Sequence, residues 1–383
     1  MRLGIDASNL RAGGGVTHLV ELLRAADPMA HDFQHVVIWA SQATLARLED
    51  RFWLSKRTDP LLESHYLRRA LWQRNQLGKL AQTEGCDLLL VPGGSFATDF
   101  RPVVTMSRNL LPFEWRELLR YGWSIFSLKL LLLRWSQSRS FQQADGTIFL
   151  TRYAQDAVLN VTGALSGQTA IIPHGIDQRF FQPPRQPRPL AESSTAQPLR
   201  LVYVSIIDTY KHQWWVAEAV AQLRAEGLPV VLDLIGPAYP PALRRLNRTL
   251  QRVDPTGDFI RYWGAVPYHE LHARYAAADI GVFASSCENM PNILLEGMAS
   301  GLPIACSNRG PMPEMLGDAG VYFDPERPDE IAAALRRLMA DPELRLSGAN
   351  AAYARAQTYS WERCAGETFT LMRKIARNDR GSF

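Results

Sequence analysis

The sequence predicts an α/β protein of two doubly wound, Rossmann-like domains facing a central cleft. Three observations lead there. Short apolar runs alternate with helical stretches, the pattern of parallel strands joined by crossover helices. That pattern stops once, in a stretch dominated by Pro, Ser, Thr and Gln, and then restarts. The chain has 383 residues, more than one ordinary core holds.

The elements follow in order. "RLGID" reads as a buried strand, "RAGGG" as a turn and "VTHLVELLRAA" as a helix. The runs "HVVIWA", "DLLLVPG", "PVVTMS", "GTIFLT" and "AIIPHG" read as further strands of a first domain, residues 1–182. Residues 183–198 carry no apolar period and are expected to be a linker. A second domain, residues 199–360, opens with "LRLVYVSII" and continues through "PVVLDLIG", "FIRYWGAV", "DIGVFASS", "LPIACSN" and "GVYFD". A last helix, within residues 361–383, is expected to fold back on the first domain.

Composition narrows the function. Apolar residues make up 46% and charged residues 21%, as in a globular protein. A net charge of +4 gives no reason to expect a nucleic-acid partner. Cys86, Cys287, Cys306 and Cys364 form no CxxC pair and have no His cluster beside them. That fits a reduced, cytoplasmic compartment and no bound metal. "MRLGIDASNL" is not the start of a signal peptide, and no run approaches the roughly 18 apolar residues of a membrane span.

In open α/β sheets, ligands lie beyond the carboxyl ends of the strands. Each candidate motif follows a predicted strand. In "SSCENMPNILLEGMASGLP" a loop carries Glu288, Asn292 is the expected N-cap, and Glu296 lies about one turn into a helix. Free N–H groups and the helix dipole suit a phosphate there, and carboxylates suit paired sugar hydroxyls. The alternative is a capped surface helix with both acids in solvent. Lys211 and His212 follow "YVSIIDTY", where a lysine suits a diphosphate and a solvated loop is the alternative. Gly13, Gly14 and Gly15 permit close backbone approach to a ligand, or form a plain tight turn. Arg108 and Asn109 follow "VVTMS"; the competing reading pairs Arg108 with Glu114 or Glu117. His174 in "PHGID" reads as part of a structural turn.

With those motifs in view, the chain resembles the retaining glycosyltransferases of family 4, which have the GT-B fold. Glu288 through Glu296 followed by "GMASGLPI" resembles that family's paired-glutamate signature, "PHGID" its strand-end motif, and "GGGV" its glycine loop. The resemblance implies a nucleotide-diphospho-sugar, GDP- or UDP-linked, as donor substrate, and no separate cofactor or metal. It implies a glycan or lipid-linked acceptor in surface-polysaccharide synthesis. By the same resemblance, Glu288 meets the donor sugar, and Asn289, Met290, Pro291 and Asn292 meet sugar and phosphates. Glu296 binds the ribose, Lys211 neutralises the diphosphate, Val266 lies near the base, and Gly14 and Gly15 approach from the first domain. Transfer would proceed by front-face attack, with the leaving diphosphate taking the acceptor proton.

Two departures stand out. The family's arginine before the phosphate lysine is absent from "VSIIDTYKH", so Lys211 carries more of the charge, with His212 or Arg108 helping. The family's first-domain histidine is replaced at "SRN", so Arg108 and Asn109 are candidates only. Other readings are an epimerase, a non-catalytic sugar-nucleotide-binding protein, or a hydrolase using the two glutamates as an acid/base pair.

Residues 101–140 carry seven bases and two acids around "YGWSIFSLKLLLLRWSQ". Peripheral docking on an anionic inner leaflet is one reading. A buried helix with wet basic ends is the other.

Overall fold

The computed structural model describes residues 1–11 and 13–380, which divide into two compact units. The first comprises Met1–Leu118, Trp123–Gly175 and the chain from Tyr359 onward. The second comprises Leu119–Gly122 and Ile176–Thr358.

The first unit is built on a parallel sheet of β1 (Arg2–Asp6), β2 (His35–Trp39), β3 (Leu54–Arg57), β4 (Leu88–Val91), β5 (Val103–Met106), β6 (Gly146–Phe149) and β7 (Gln168–Ile171). Their order is β3-β2-β1-β4-β5-β6-β7. Every residue of β4, β5 and β6 is buried, as expected of central strands covered on both faces. β3 goes unpredicted because it reads "LSKR". It is an edge strand with one apolar residue and two cations, which discourage further pairing. Chain direction across the sheet reverses between β1 and β4, so ligand-facing loops are expected where those strands end.

The last helix, Trp361–Arg380, belongs to this unit and packs on the Gly14–Ala25 helix and β6. Cys364, Ala365, Phe369, Met372, Ile375 and Ala376 are buried at helical spacing. Each large apolar side chain among them contributes roughly 2 kcal/mol. Arg377 closes the end with a 2.6 Å hydrogen bond to Asp32. Gly175 explains the glycine of "PHGID": a Cβ there would collide with the backbone of Ser360 and Trp361.

The second unit holds β8 (Leu199–Val204), β9 (Val230–Ile235), β10 (Ile260–Tyr262), β11 (Ile280–Phe283), β12 (Ile304–Ser307) and β13 (Gly320–Phe323), in the order β10-β9-β8-β11-β12-β13. The reversal recurs here between β8 and β11. The expected linker, residues 183–198, is not a free connector. Arg185 donates to Ala278 O at 2.5 Å, Arg188 to Pro198 O at 2.9 Å, and Arg345 to Arg188 O at 2.6 Å. Arginine side chains supply the fixed contacts that an apolar-pattern reading overlooks, and the units divide instead between Gly175 and Ile176.

Candidate functional site

The loops after β8 and β11 leave adjacent strands and are stitched together. Ser286 N–H donates to Tyr210 O at 2.8 Å, the Tyr203 hydroxyl to Lys211 O at 2.7 Å, and His212 Nε2 pairs with Ser286 Oγ at 2.9 Å. Lys211 Nζ donates to Glu288 Oε1 in an ion pair between these loops. The lysine side chain is 4% exposed and the glutamate side chain 15%. Nζ also lies 5.1 Å from the Tyr210 ring and 5.3 Å from the Phe283 ring, so aromatic faces help hold the charge.

His212 is a correction to the expectation that it shares the diphosphate charge. Burial, followed by the nearby Arg120, pulls its imidazole down to about 3, so it is neutral at physiological pH. Its backbone sits at φ 55°, in the left-handed region, where a non-glycine residue costs on the order of 1 kcal/mol. Strain there sets the sharp entry into the Gln213–Ala225 helix immediately after Lys211.

The helix behind Glu288 is Asn292–Ala299. Pro291 occupies the N-cap and Asn292 is the first helical residue, not the cap; its N–H donates to Met290 O at 3.0 Å. The Pro291 ring fixes the entry and leaves no side-chain cap bond. Asn289, Met290 and Pro291 are buried. Glu296 is also buried, which excludes the solvated-acid alternative. The Tyr275 hydroxyl donates to Glu296 Oε2 at 3.2 Å, and Tyr268 also hydrogen-bonds the carboxyl. Desolvation outweighs both bonds and pushes Glu296 up to about 8. At neutral pH it is therefore largely a carboxylic acid, able both to donate to and to accept from a hydroxyl. Val266 follows β10, at the end of the sheet beyond β9.

Neither tyrosine was anticipated from sequence. Tyr268 stands two residues from Val266 in "VPYHEL", a proximity that could have flagged it. Also unanticipated is a cluster at the ends of β12 and β13. Arg120 holds Glu326 through hydrogen bonds of 3.0 and 2.6 Å, and Arg309 binds Glu326 at 3.1 Å and Asp324 at 2.7 Å. Arg120 foremost draws the Glu326 carboxyl down to about 2. The Tyr121 hydroxyl donates to Asp208 at 3.0 Å beside the Lys211 loop. Arg120 and Tyr121 are distant in sequence from these partners, so no local pattern could reveal them.

In the first unit, Gly14 and Gly15 open the Gly14–Ala25 helix, with Gly13 at φ 69° as its N-cap. Open space surrounds the point where a Gly14 Cβ would stand, so internal packing does not require glycine there. Arg108 Nη1 donates to Gly15 O at 3.1 Å. Among the described residues Arg108 forms no ion pair, so the pairing with Glu114 or Glu117 does not occur; Glu114 accepts from the Tyr153 hydroxyl instead. Burial lowers the Arg108 guanidinium to about 10, still cationic at neutral pH. Asn109 is exposed, and its Oδ1 accepts from Leu111 N–H at 3.1 Å as a turn residue. His174 stacks in a buried group, 4.6 Å from the His18 ring and 5.7 Å from that of Trp361, as its structural reading anticipates.

Comparison with known proteins bears on this arrangement. Residues 12–180 match the model described as Glycosyltransferase Family 4, and residues 198–341 the one described as Glycosyl transferases group 1. The chain belongs to the family 4 glycosyltransferases. Among its relatives in the family, the O-antigen chain mannosyltransferase B of Escherichia coli is 38% identical over 30% of this chain and 31% of its own length. The MMP alpha-(1->4)-mannosyltransferase of Mycolicibacterium hassiacum is 29% identical over 65% of this chain and 60% of its own. A GDP-mannose-dependent alpha-(1-6)-phosphatidylinositol dimannoside mannosyltransferase of Mycobacterium tuberculosis is 26% identical over 64% and 62%. The chain thus spans less than two thirds of the length of each of these relatives.

The GT-B fold of this family 4 protein is shared with solved structures. Sucrose-phosphate synthase from Thermosynechococcus elongatus superposes with a TM-score of 0.75 at 19% identity, over 99% of this chain and all of that one. Anabaena HepE, in complex with UDP and glucose, gives 0.66 at 18%, covering both chains fully. WaaG, a glycosyltransferase of lipopolysaccharide biosynthesis, gives 0.70 at 14%, over 97% of this chain and 99% of that one.

Proposed function

We propose that this protein is a retaining hexosyltransferase. It would move a sugar from a GDP- or UDP-linked donor to a glycan or lipid-linked glycan of a surface polysaccharide. The Lys211–Glu288 ion pair at the β8/β11 switch point, with Glu296 buried on the helix that follows, carries this reading. Lys211 is the cation for the donor diphosphate. As a diphosphate oxygen draws Lys211, Glu288 is freed to accept hydrogen bonds from the sugar hydroxyls. The backbone from Asn289 to Asn292 presents the start of a helix to sugar and phosphate. Glu296, held by Tyr275 and Tyr268, meets the ribose hydroxyls, and Val266 lies toward the base.

In the first unit, Gly14 and Gly15 offer bare backbone and Arg108 an uncompensated cation, both suited to a phosphate. Asn109 serves its turn. The leaving diphosphate takes the acceptor proton during front-face attack. Catalysis is then electrostatic stabilisation and positioning, with no metal assigned a role. An acid/base role for the glutamates is disfavoured because Glu288 is tied to a cation and Glu296 is enclosed by phenols. GDP-mannose is the first donor to test, since three of the relatives are named as mannosyltransferases.

The experiment is a thermal-shift panel of GDP-, UDP-, ADP- and dTDP-sugars, followed by NMR of the transferred anomer. One nucleotide should raise the melting point by mass action, and the anomeric configuration of the donor should persist in the product. Inversion at the anomeric carbon would refute the retaining mechanism.

A further inference from the structure

We propose that the Ile125–Gln143 helix of the first unit docks the protein on an anionic phospholipid bilayer. Its amphipathicity is inverted. The side turned inward includes Ser127, Gln137 and Ser140 beside Leu130 and Phe141. Ile125, Leu128, Leu132 and Trp135 are instead 77%, 58%, 59% and 65% exposed. At about 100° per residue these four share one stripe, opposite the buried side. Trp123, two residues before the helix, is also fully exposed.

A folded chain does not ordinarily turn its polar side chains inward and leave Leu, Ile and Trp in water. Such a face is built for another surface. Charge names that surface. The helix contains no acidic residue; exposed Arg139 lies on the same stripe as the apolar side chains, and exposed Lys129 flanks it on the Ile125 side. The Arg134 guanidinium sits 5.7 Å from the Trp115 ring and that of Arg139 6.0 Å from the Trp135 ring. A second copy of the same face would set Lys129 and Arg139 against like charges with no carboxylate on the helix to relieve them. Anionic headgroups complement those cations, while tryptophan and leucine side chains enter the boundary between headgroups and acyl chains. No helix among the described residues is long and apolar enough to cross a membrane, so this is surface docking.

The test needs no donor or acceptor, so its failure is separable from failure of the transferase reading. The full chain is sedimented with vesicles of phosphatidylcholine alone or with roughly one third phosphatidylglycerol. Preferential binding to the anionic vesicles is expected, with a blue shift of tryptophan emission. K129E/R139E and W123S/W135S should each weaken binding about tenfold or more. Circular dichroism and melting curves should be unchanged, because all four side chains are exposed. Binding that ignores lipid charge, or that survives both double substitutions, would overturn the proposal. So would self-association lost in the same variants without any vesicle binding.

Discussion

Lys211 and Glu288 bind each other across the junction of β8 and β11, where strand order in the second sheet reverses. Both are largely shielded from water, so each depends on the other. Removing one partner of a desolvated pair typically costs about 3 kcal/mol or more. Lys211→Met should therefore lower the melting temperature measurably and weaken nucleotide-diphosphate binding by calorimetry. Lys211→Met combined with Glu288→Gln should recover much of the stability and none of the binding.

Glu296 makes stability depend on pH in an unusual direction. Its carboxyl is raised from 4.5 to about 8 by burial. Between those values the unfolded chain has lost the proton while the folded chain keeps it, so stability falls as pH rises, and levels off once both forms are ionised. Melting curves from pH 5 to 9 should show this decline, and Glu296→Gln should flatten it. The same variant should weaken nucleotide binding if Glu296 meets the ribose as proposed, since the amide NH2 that replaces one carboxyl oxygen can donate to a hydroxyl but cannot accept from it.

Gly14 separates a ligand's demand from the fold's. A methyl group there meets only open space within the protein. Gly14 is the first helical residue and its φ is one that alanine can adopt, so Gly14→Ala should leave stability unchanged or raise it by up to about 1 kcal/mol, yet reduce turnover about tenfold or more. Gly175→Ala should do the reverse, lowering the melting temperature strongly through its collision with Trp361.

Arg108 and Asn109 are neighbours with separable roles. Arg108→Gln removes a cation that no carboxylate among the described residues neutralises, so it should reduce turnover without loss of an ion pair. Asn109→Ala removes one turn hydrogen bond and should cost about 1 kcal/mol of stability with little change in kcat.

Much of this was legible because it is local. Alternating strands and helices yield twelve of the thirteen strands, and the spacing from Glu288 to Glu296 marks the loop and helix that carry them. What escaped is long-range or polar. β3 lacks an apolar signature, and the Pro-rich stretch is fastened by arginines to carbonyls distant in sequence. His212 follows Lys211 on the page yet is buried and neutral, while Lys211 keeps a carboxylate partner. Tyr275 joins Glu296 across twenty-one positions, and Arg120 joins Glu326 across more than two hundred.

The most direct test of the donor site is Glu288→Ala, assayed in parallel for nucleoside-diphosphate affinity and for sugar transfer. If Glu288 serves the transferred sugar, affinity should stay within about threefold of wild type while transfer falls about 100-fold or more. Near-normal turnover in that variant would contradict the site as assigned.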